Sequence, residues 1–243
     1  MQNINPTHTR NRRALFYLGI IGFPLFIGGL IALASVILLT QFPAFGDATI
    51  PVIILLVILG LAGLAIGGVS IYRGFTLERD NELAFQVGDE LRNILDERYT
   101  YIRNVSRRRL GYIDAVLIGP PGALVFRIVD YNGLWRNELA EWKTKDKRGR
   151  MRNATTNPTR ECARDVYSLR QYFAKRQLEN VPVYGVVVFH SPHVTLQGAS
   201  PVVPISETHL LPDILTREGN YLAEEQRIDP QTAREATRAL VEG

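Results

Sequence analysis

Six cations crowd positions 143 to 152. Lys143, Lys145, Lys147, Arg148, Arg150 and Arg152 share that stretch with a single acid, Asp146. Tyr131, Trp135 and Trp142 lie close by in sequence. Such a mixture can follow a nucleic-acid backbone, with cations on phosphates and rings under bases. It can also meet anionic lipid head groups, or be the solvated tip of a hairpin. Arg103, Arg107, Arg108 and Arg109 add to the same account if they share its face.

Other reactive side chains are sparse. His190 and His193 flank Ser191-Pro192. Two imidazoles can hold a metal, but no third ligand is apparent, which favours a loop with two incidental histidines. One cysteine, Cys162, excludes an internal disulfide and a Cys-rich metal site. There is no phosphate-cradling glycine loop, no nucleophile elbow and no Cys/His zinc spacing.

The elements that must position these residues fall into two unlike parts. Leu15 to Thr40 and Ile50 to Tyr72 contain no charged residue. Each exceeds the ~18–20 apolar residues that cross ~30 Å of hydrocarbon. A basic start suits a signal peptide, but the first apolar run is too long and no small-x-small site precedes a polar segment. We therefore expect two transmembrane helices, about 15–40 and 50–72, within residues 14–73. Arg10, Arg12 and Arg13 precede the first, Arg73 and Arg79 follow the second, and the link from Gln41 to Thr49 has no Lys or Arg. Cationic flanks stay in the cytoplasm, so a basic tail (1–13) and the C-terminus are both expected there. The expected localisation is an integral protein of a prokaryotic plasma membrane. Gly28, Gly29, Gly63 and Gly67 suit close packing of the two spans. Neither span holds an ionisable group, which argues for an anchor over a transporter or channel.

About 170 remaining residues suffice for one domain with a real core. Leu83, Val87, Leu91 and Ile94 recur at helical spacing. Tyr112 to Ile118 and Ala123 to Tyr131 read as strands around Gly119-Pro120-Pro121-Gly122, a strong turn. Short strands and a loop are expected over 134–152. Asn157-Pro158 starts a helix in which Cys162, Val166, Leu169 and Phe173 share a face. Val183 to Phe189 reads as a buried strand, Ser206 as the cap of a short helix through Leu215, and Asp229-Pro230 as the start of a last helix. The order describes a mixed sheet with helices packed on it.

Four ordered features carry a resemblance. They are Gly88-Asp89-Glu90 in a helix, Tyr112 to Gly119 running into Gly122 and a second strand, Asp130-Tyr131-Asn132-Gly133, and Asn157-Pro158 before a helix with Val186 to Phe189 beyond. Over roughly residues 82–195 the chain resembles the nuclease-related domain (NERD), a branch of the restriction-endonuclease-like PD-(D/E)xK superfamily. The implied fold is α/β, a restriction-endonuclease-like mixed sheet flanked by helices, here preceded by a two-helix transmembrane hairpin. Residues 196–243 are then a C-terminal helical extension.

The resemblance implies Mg²⁺-dependent cleavage of phosphodiesters, with two carboxylates on the metal and a Lys two residues after the second. Asp114 matches the first metal-binding Asp, and Asp89 the acid after the helix glycine. The second strand carries Arg127-Ile128-Val129, so Arg127 stands for the acid and Val129 for the lysine. Asp130 is the nearest acid, but strand alternation aims it away from Arg127. Glu161 stands where the family tends to have Gln and is a candidate to supply a migrated carboxylate from a helix.

Electrostatics select between the outcomes. Opposite charges about 4 Å apart attract by about 4 kcal/mol at an effective dielectric near 20. An Asp114–Arg127 pair would therefore occupy the place a metal needs. The expectation is a catalytically degenerate, membrane-anchored module with no cofactor, no metal (Asp114 if any), and nucleic acid, anionic lipid or a protein as partner besides the bilayer. The alternative is an active Mg²⁺ nuclease using Asp89, Asp114 and Glu161 or Asp130.

Overall fold

The structure, a computed structural model, describes residues 1–6, 20–41, 46, 49–107, 109–146, 149–217 and 219–242, apart from the side chains of 73–81 and 199. It divides into two compact units, one of residues 7–79 and one of residues 1–6 with 80–243. Arg10, Arg12, Arg13 and most of the 41–49 link lie outside the described residues, as do the side chains of Arg73 and Arg79.

In the first unit, helix α1 (Phe23–Gln41) follows one turn of wider helix at 20–22. Helix α2 (Thr49–Arg92) contributes residues to both units. Ile20–Gln41 and Thr49–Tyr72 are long and apolar enough to cross a membrane, with mean hydropathies of 2.4 and 2.9. Only 11% and 17% of their apolar windows are buried, unlike a soluble core helix. Small residues let the backbones meet: a Cβ at Gly29 would lie 2.7 Å from the Gly60 carbonyl oxygen. At Gly63 it would lie 2.8 Å from the Leu25 oxygen, and at Gly67 2.7 Å from the Phe26 nitrogen. Gly28 meets nothing within 4 Å, so the expected role in packing belongs to Gly29 and not to it. Ser35 and Thr40 donate their hydroxyls to Ile31 and Ile37 carbonyls, which satisfies both within the helix.

The second unit is a mixed sheet flanked by helices, with a smaller sheet beside it. The large sheet contains β1 (Gln2–Ile4), β2 (Thr100–Arg107), β3 (Gly111–Gly119), β4 (Gly122–Val129), β8 (Val183–Phe189) and β10 (Ile205–Glu207), in that spatial order. The small sheet is ordered β7 (Met151–Asn153), β6 (Glu141–Lys145), β5 (Gly133–Glu138) and β9 (Val194–Ala199). β2–β3 and β3–β4 are antiparallel, while β4–β8, β8–β10 and β1–β2 are parallel.

Both faces of the large sheet are covered. The end of α2 lays Ala84, Val87 and Leu91 on Tyr101, Leu117 and Phe126. Gly88 is needed there, because a Cβ would sit 2.6 Å from the Tyr101 ring. Helices α3 (Pro158–Ala174) and α5 (Pro230–Val241) cover the opposite face, packing Leu169, Phe173, Ala236 and Leu240 against Val116, Ile118 and Val125. Asn157 caps α3 by accepting the Arg160 N–H, and Asp229 caps α5 through Gln231 and Thr232.

Three sequence expectations change. The 1–13 tail contains β1, which pairs with β2 from Gln2 opposite Thr100. The boundary at 195/196 falls inside β9, and β10 joins the main sheet, so residues 196–243 complete the domain and are not a helical extension. Ser206 lies in β10 and donates to the Glu207 carbonyl oxygen. The short helix it was expected to cap, α4 (Leu211–Thr216), follows a 3-10 turn at Thr208–Leu210.

Candidate functional site

The hairpin of β3 and β4 turns through Pro120-Pro121, with Gly119 opposite Gly122. Gly122 has φ of 131° and its missing Cβ would lie 2.5 Å from the Pro182 oxygen. Only glycine meets both demands. Counting back from that turn, the ladder runs to Ala115 opposite Phe126 and stops. The next facing positions are Asp114 and Arg127.

Asp114 is 7% exposed. Its Oδ2 accepts the Ile128 backbone N–H at 2.8 Å and lies 3.5 Å from Arg127 Nη1. The carboxylate therefore replaces a ladder bond between the strands. On its other side, Arg103 pairs with Ala115 and Val105 with Ile113, leaving Asn104 opposite Asp114. Asn104 is fully buried with φ of 53°, and its Oδ1 accepts the Tyr112 hydroxyl. Non-glycine residues in this region gather at strained, over-determined places. Both ladders are thus interrupted at Asp114.

Helix α3 closes the site from above the sheet. Arg127 Nη2 lies 2.5 Å from Glu161 Oε2. One turn on, Asp165 is 6% exposed and its Oδ2 is buried without a hydrogen-bond partner. Burial pushes the Asp165 carboxyl up to about 6; Arg127 and Arg164 oppose the rise and Glu161 adds to it. Burial also opposes the charge of Arg127, but Asp114, Glu161 and Asp165 together hold its pKa above the ordinary value. The site is one guanidinium among three carboxyl groups.

Residues 78–190 match the family model NERD, the nuclease-related domain. That stretch is similar to the NERD domain. Comparison with curated proteins finds no match, and comparison with solved structures finds none either. The NERD match runs from α2 through β8; β9, β10, α4 and α5 lie beyond it.

Within the matched region the sequence candidates separate. Asp114, Arg127 and Glu161 meet. Asp89 does not join them: it is exposed on α2, and α2 packs on the face opposite α3. Asp130 lies exposed just past β4. Val129 is buried with Trp135, Trp142, Cys162 and Phe189, so the expected lysine position is a core position. Burial pushes the Cys162 thiol up to about 12, which keeps it unreactive. Among the described residues, no three His, Cys, Asp or Glu side chains meet in a metal-binding group. The residues present do not fit a divalent ion while Arg127 spans Asp114 and Glu161.

Asp165 and Asn104 were missed by sequence reasoning. Asp165 stands four residues after Glu161, on the same helix face, and that spacing was its one available signal. Asn104 carried none beyond the tolerance of asparagine for positive φ.

The basic stretch is the hairpin of β6 and β7. Lys143 bonds Glu138 at 2.8 Å and Arg152 pairs with Asp146 at 3.0 Å. Lys145 and Arg150 lie on or beside the same strands, while Lys147 and Arg148 lie outside the described residues. Trp135 and Trp142 cannot serve bases here. They are 7% and 2% exposed, and Trp142 donates to Thr159 Oγ1. His190 Nδ1 meets Thr208 Oγ1, and the His193 backbone carbonyl oxygen accepts the Gly133 N–H while the residue is exposed.

Proposed function

We propose that this is a membrane-anchored NERD module that has lost catalysis and binds nucleic acid at the cytoplasmic face. One observation carries the reading: Arg127 reaches both Asp114 and Glu161, at 3.5 and 2.5 Å. A hard divalent cation needs those oxygens, and a tethered guanidinium already neutralises them. Nothing at Val129 can approach a phosphate, since it is buried in the aromatic cluster. Losing one transition-state donor typically costs about 10²-fold or more, and here the ligand and the lysine are both replaced.

The anchor reading has support of its own. β1 pairs with β2, and residues 1–6 belong to the same unit as 80–243. A chain that enters and leaves the membrane between those segments crosses it an even number of times, so both ends share a side. Arg10, Arg12 and Arg13 make that side the cytoplasm, in the plasma membrane of a prokaryote. A protein partner or anionic lipid is the competing ligand for the same basic domain.

An active Mg²⁺ nuclease keeps one observation in its favour. Asp165 brings a third, incompletely satisfied carboxyl beside Glu161. A cleavage assay on the full chain in detergent with Mg²⁺ and Mn²⁺ decides between the readings.

A further inference from the structure

The cations of the β6–β7 hairpin are partly spent on neighbouring acids. A different surface holds cations that are not. The β2–β3 turn and the second half of α3 enclose a cavity of about 600 Å³, lined by Arg109, Tyr167, Gln171, Tyr172, Lys175 and Arg176, with Ser168 between. No carboxylate among the described residues lines it. Among the described residues, Arg109, Lys175 and Arg176 have no acidic partner within ion-pair distance.

The cavity is organised before any ligand arrives. The Arg176 guanidinium lies 3.7 Å from the centre of the Tyr172 ring. That ring is itself buried, and its hydroxyl donates to the Ala239 carbonyl oxygen. Arg176 is therefore held against the ring by a cation–π contact. Tyr167 is 62% exposed, and its hydroxyl accepts the Gln171 amide N–H at 2.6 Å. Its ring face is open at the rim. Arg109 sits in the turn with φ of 74°. From Lys175, the C-cap of α3, Gln171, Ser168 and Arg164 follow back along the helix at helical spacing, and this line continues to Glu161.

We infer that this cavity is a phosphate-binding subsite for single-stranded nucleic acid, with Arg109, Lys175 and Arg176 on phosphates and Tyr167 as a stacking platform. Three uncompensated cations around one concavity suit successive phosphates. An exposed phenol ring suits an unpaired base, which a duplex does not offer. The inference rests on the nucleic-acid reading above and names the surface and the form of the ligand.

The test is fluorescence anisotropy of a labelled single-stranded dT 12-mer with the full chain in detergent at low salt. Arg109→Glu with Lys175→Glu should weaken binding by more than about 10-fold and flatten its salt dependence. Tyr167→Ala should weaken it about 10-fold while Tyr167→Phe keeps it, since stacking needs the ring alone. Lys143→Glu with Lys145→Glu should change it less than threefold. These exchanges are at exposed or half-exposed positions, and thermal melts verify that each variant is folded. If the unmodified chain binds and only the Lys143/Lys145 variant loses binding, the subsite is wrong and the nucleic-acid reading stands. Equal binding of a duplex also overturns the subsite. No binding of any nucleic acid by the unmodified chain overturns both.

Discussion

Arg127 faces Asp114 across the break in the β3–β4 ladder, its Nη1 3.5 Å from Oδ2, while the same oxygen accepts the Ile128 N–H. One carboxylate thus holds a cation and a backbone donor at once. Such a pair differs from a surface ion pair, because Asp114 is almost fully buried. Removing one member leaves the other charged and poorly solvated.

Asp114→Ala should therefore destabilise the domain. It strands the Ile128 N–H and one side of Arg127, and a loss of about 2–4 kcal/mol is expected. Both tryptophans of the chain, Trp135 and Trp142, are buried in this domain. Their fluorescence on heating the full chain in detergent reports the change. An unchanged melting temperature would remove the structural role assigned to the pair.

Asp165 gives a pH dependence of defined sign. Its folded pKa of about 6 lies above the ordinary 3.8. Between those values the folded chain holds a proton that the unfolded chain has released, so stability falls as pH rises through roughly 4 to 6. Above that window the folded chain carries the full cost of an ionised buried group. Asp165→Asn should stabilise the protein at pH 7.5, by on the order of 1–2 kcal/mol once solvent screening is discounted, and change little at pH 4. Melting temperatures of both proteins across this range supply the check. A constant difference between them would contradict it.

Gly122→Ala attacks the register that sets Asp114 against Arg127. Its φ of 131° and the Pro182 oxygen 2.5 Å from the missing Cβ both oppose a side chain. A loss of about 2–4 kcal/mol follows from backbone strain with a clash. Gly111, with φ of 88° but nothing within 4 Å, should lose less on the same substitution. Parallel melts of the two variants separate crowding from strain.

The membrane topology is open to cysteine labelling. The native Cys162 is buried with its thiol pushed up to about 12, so it gives little background. A cysteine placed at Ala44 should react with an impermeant maleimide in intact cells. One placed at Glu242 should react only after lysis. The reverse pattern would turn the protein over.

The sequence made the central hairpin legible because Gly119-Pro120-Pro121-Gly122 fixes a two-residue turn. From it, counting places Asp114 opposite Arg127 without coordinates. Asn157-Pro158 located α3 for the same kind of local reason. What stayed hidden depends on distant partners. β1 is three residues with no periodicity and exists because β2 offers an edge. Trp135 and Trp142 sit among charged neighbours in sequence, and their burial comes from Phe189 and α3. Asp165 reads as an ordinary polar helix residue until Arg127 is placed beneath it. The fate of residues 196–243 was missed because β9 and β10 are short and gain their pairing from β5 and β8.

Arg127→Glu with Val129→Lys probes the site from the other direction. The exchange replaces the guanidinium with a carboxylate beside Asp114, Glu161 and Asp165, and changes the local charge by two units at Arg127 alone. The double variant should bind Mn²⁺ or Mg²⁺ in calorimetry where the unmodified chain gives no heat, provided its melt shows it folded. Val129 is a core residue, so Arg127→Glu alone is the control for a folding defect. Metal binding by the unmodified chain equal to that of a folded variant would separate Arg127 from the loss.

The most direct measurement is cleavage by the unmodified full chain, in detergent, of single-stranded and duplex DNA and of RNA, with Mg²⁺ and with Mn²⁺. With Arg127 spanning Asp114 and Glu161, the expected result is no cleavage above a metal-free control. Metal-dependent cleavage that disappears in a folded Asp114→Ala variant would contradict the account and establish the active nuclease in its place.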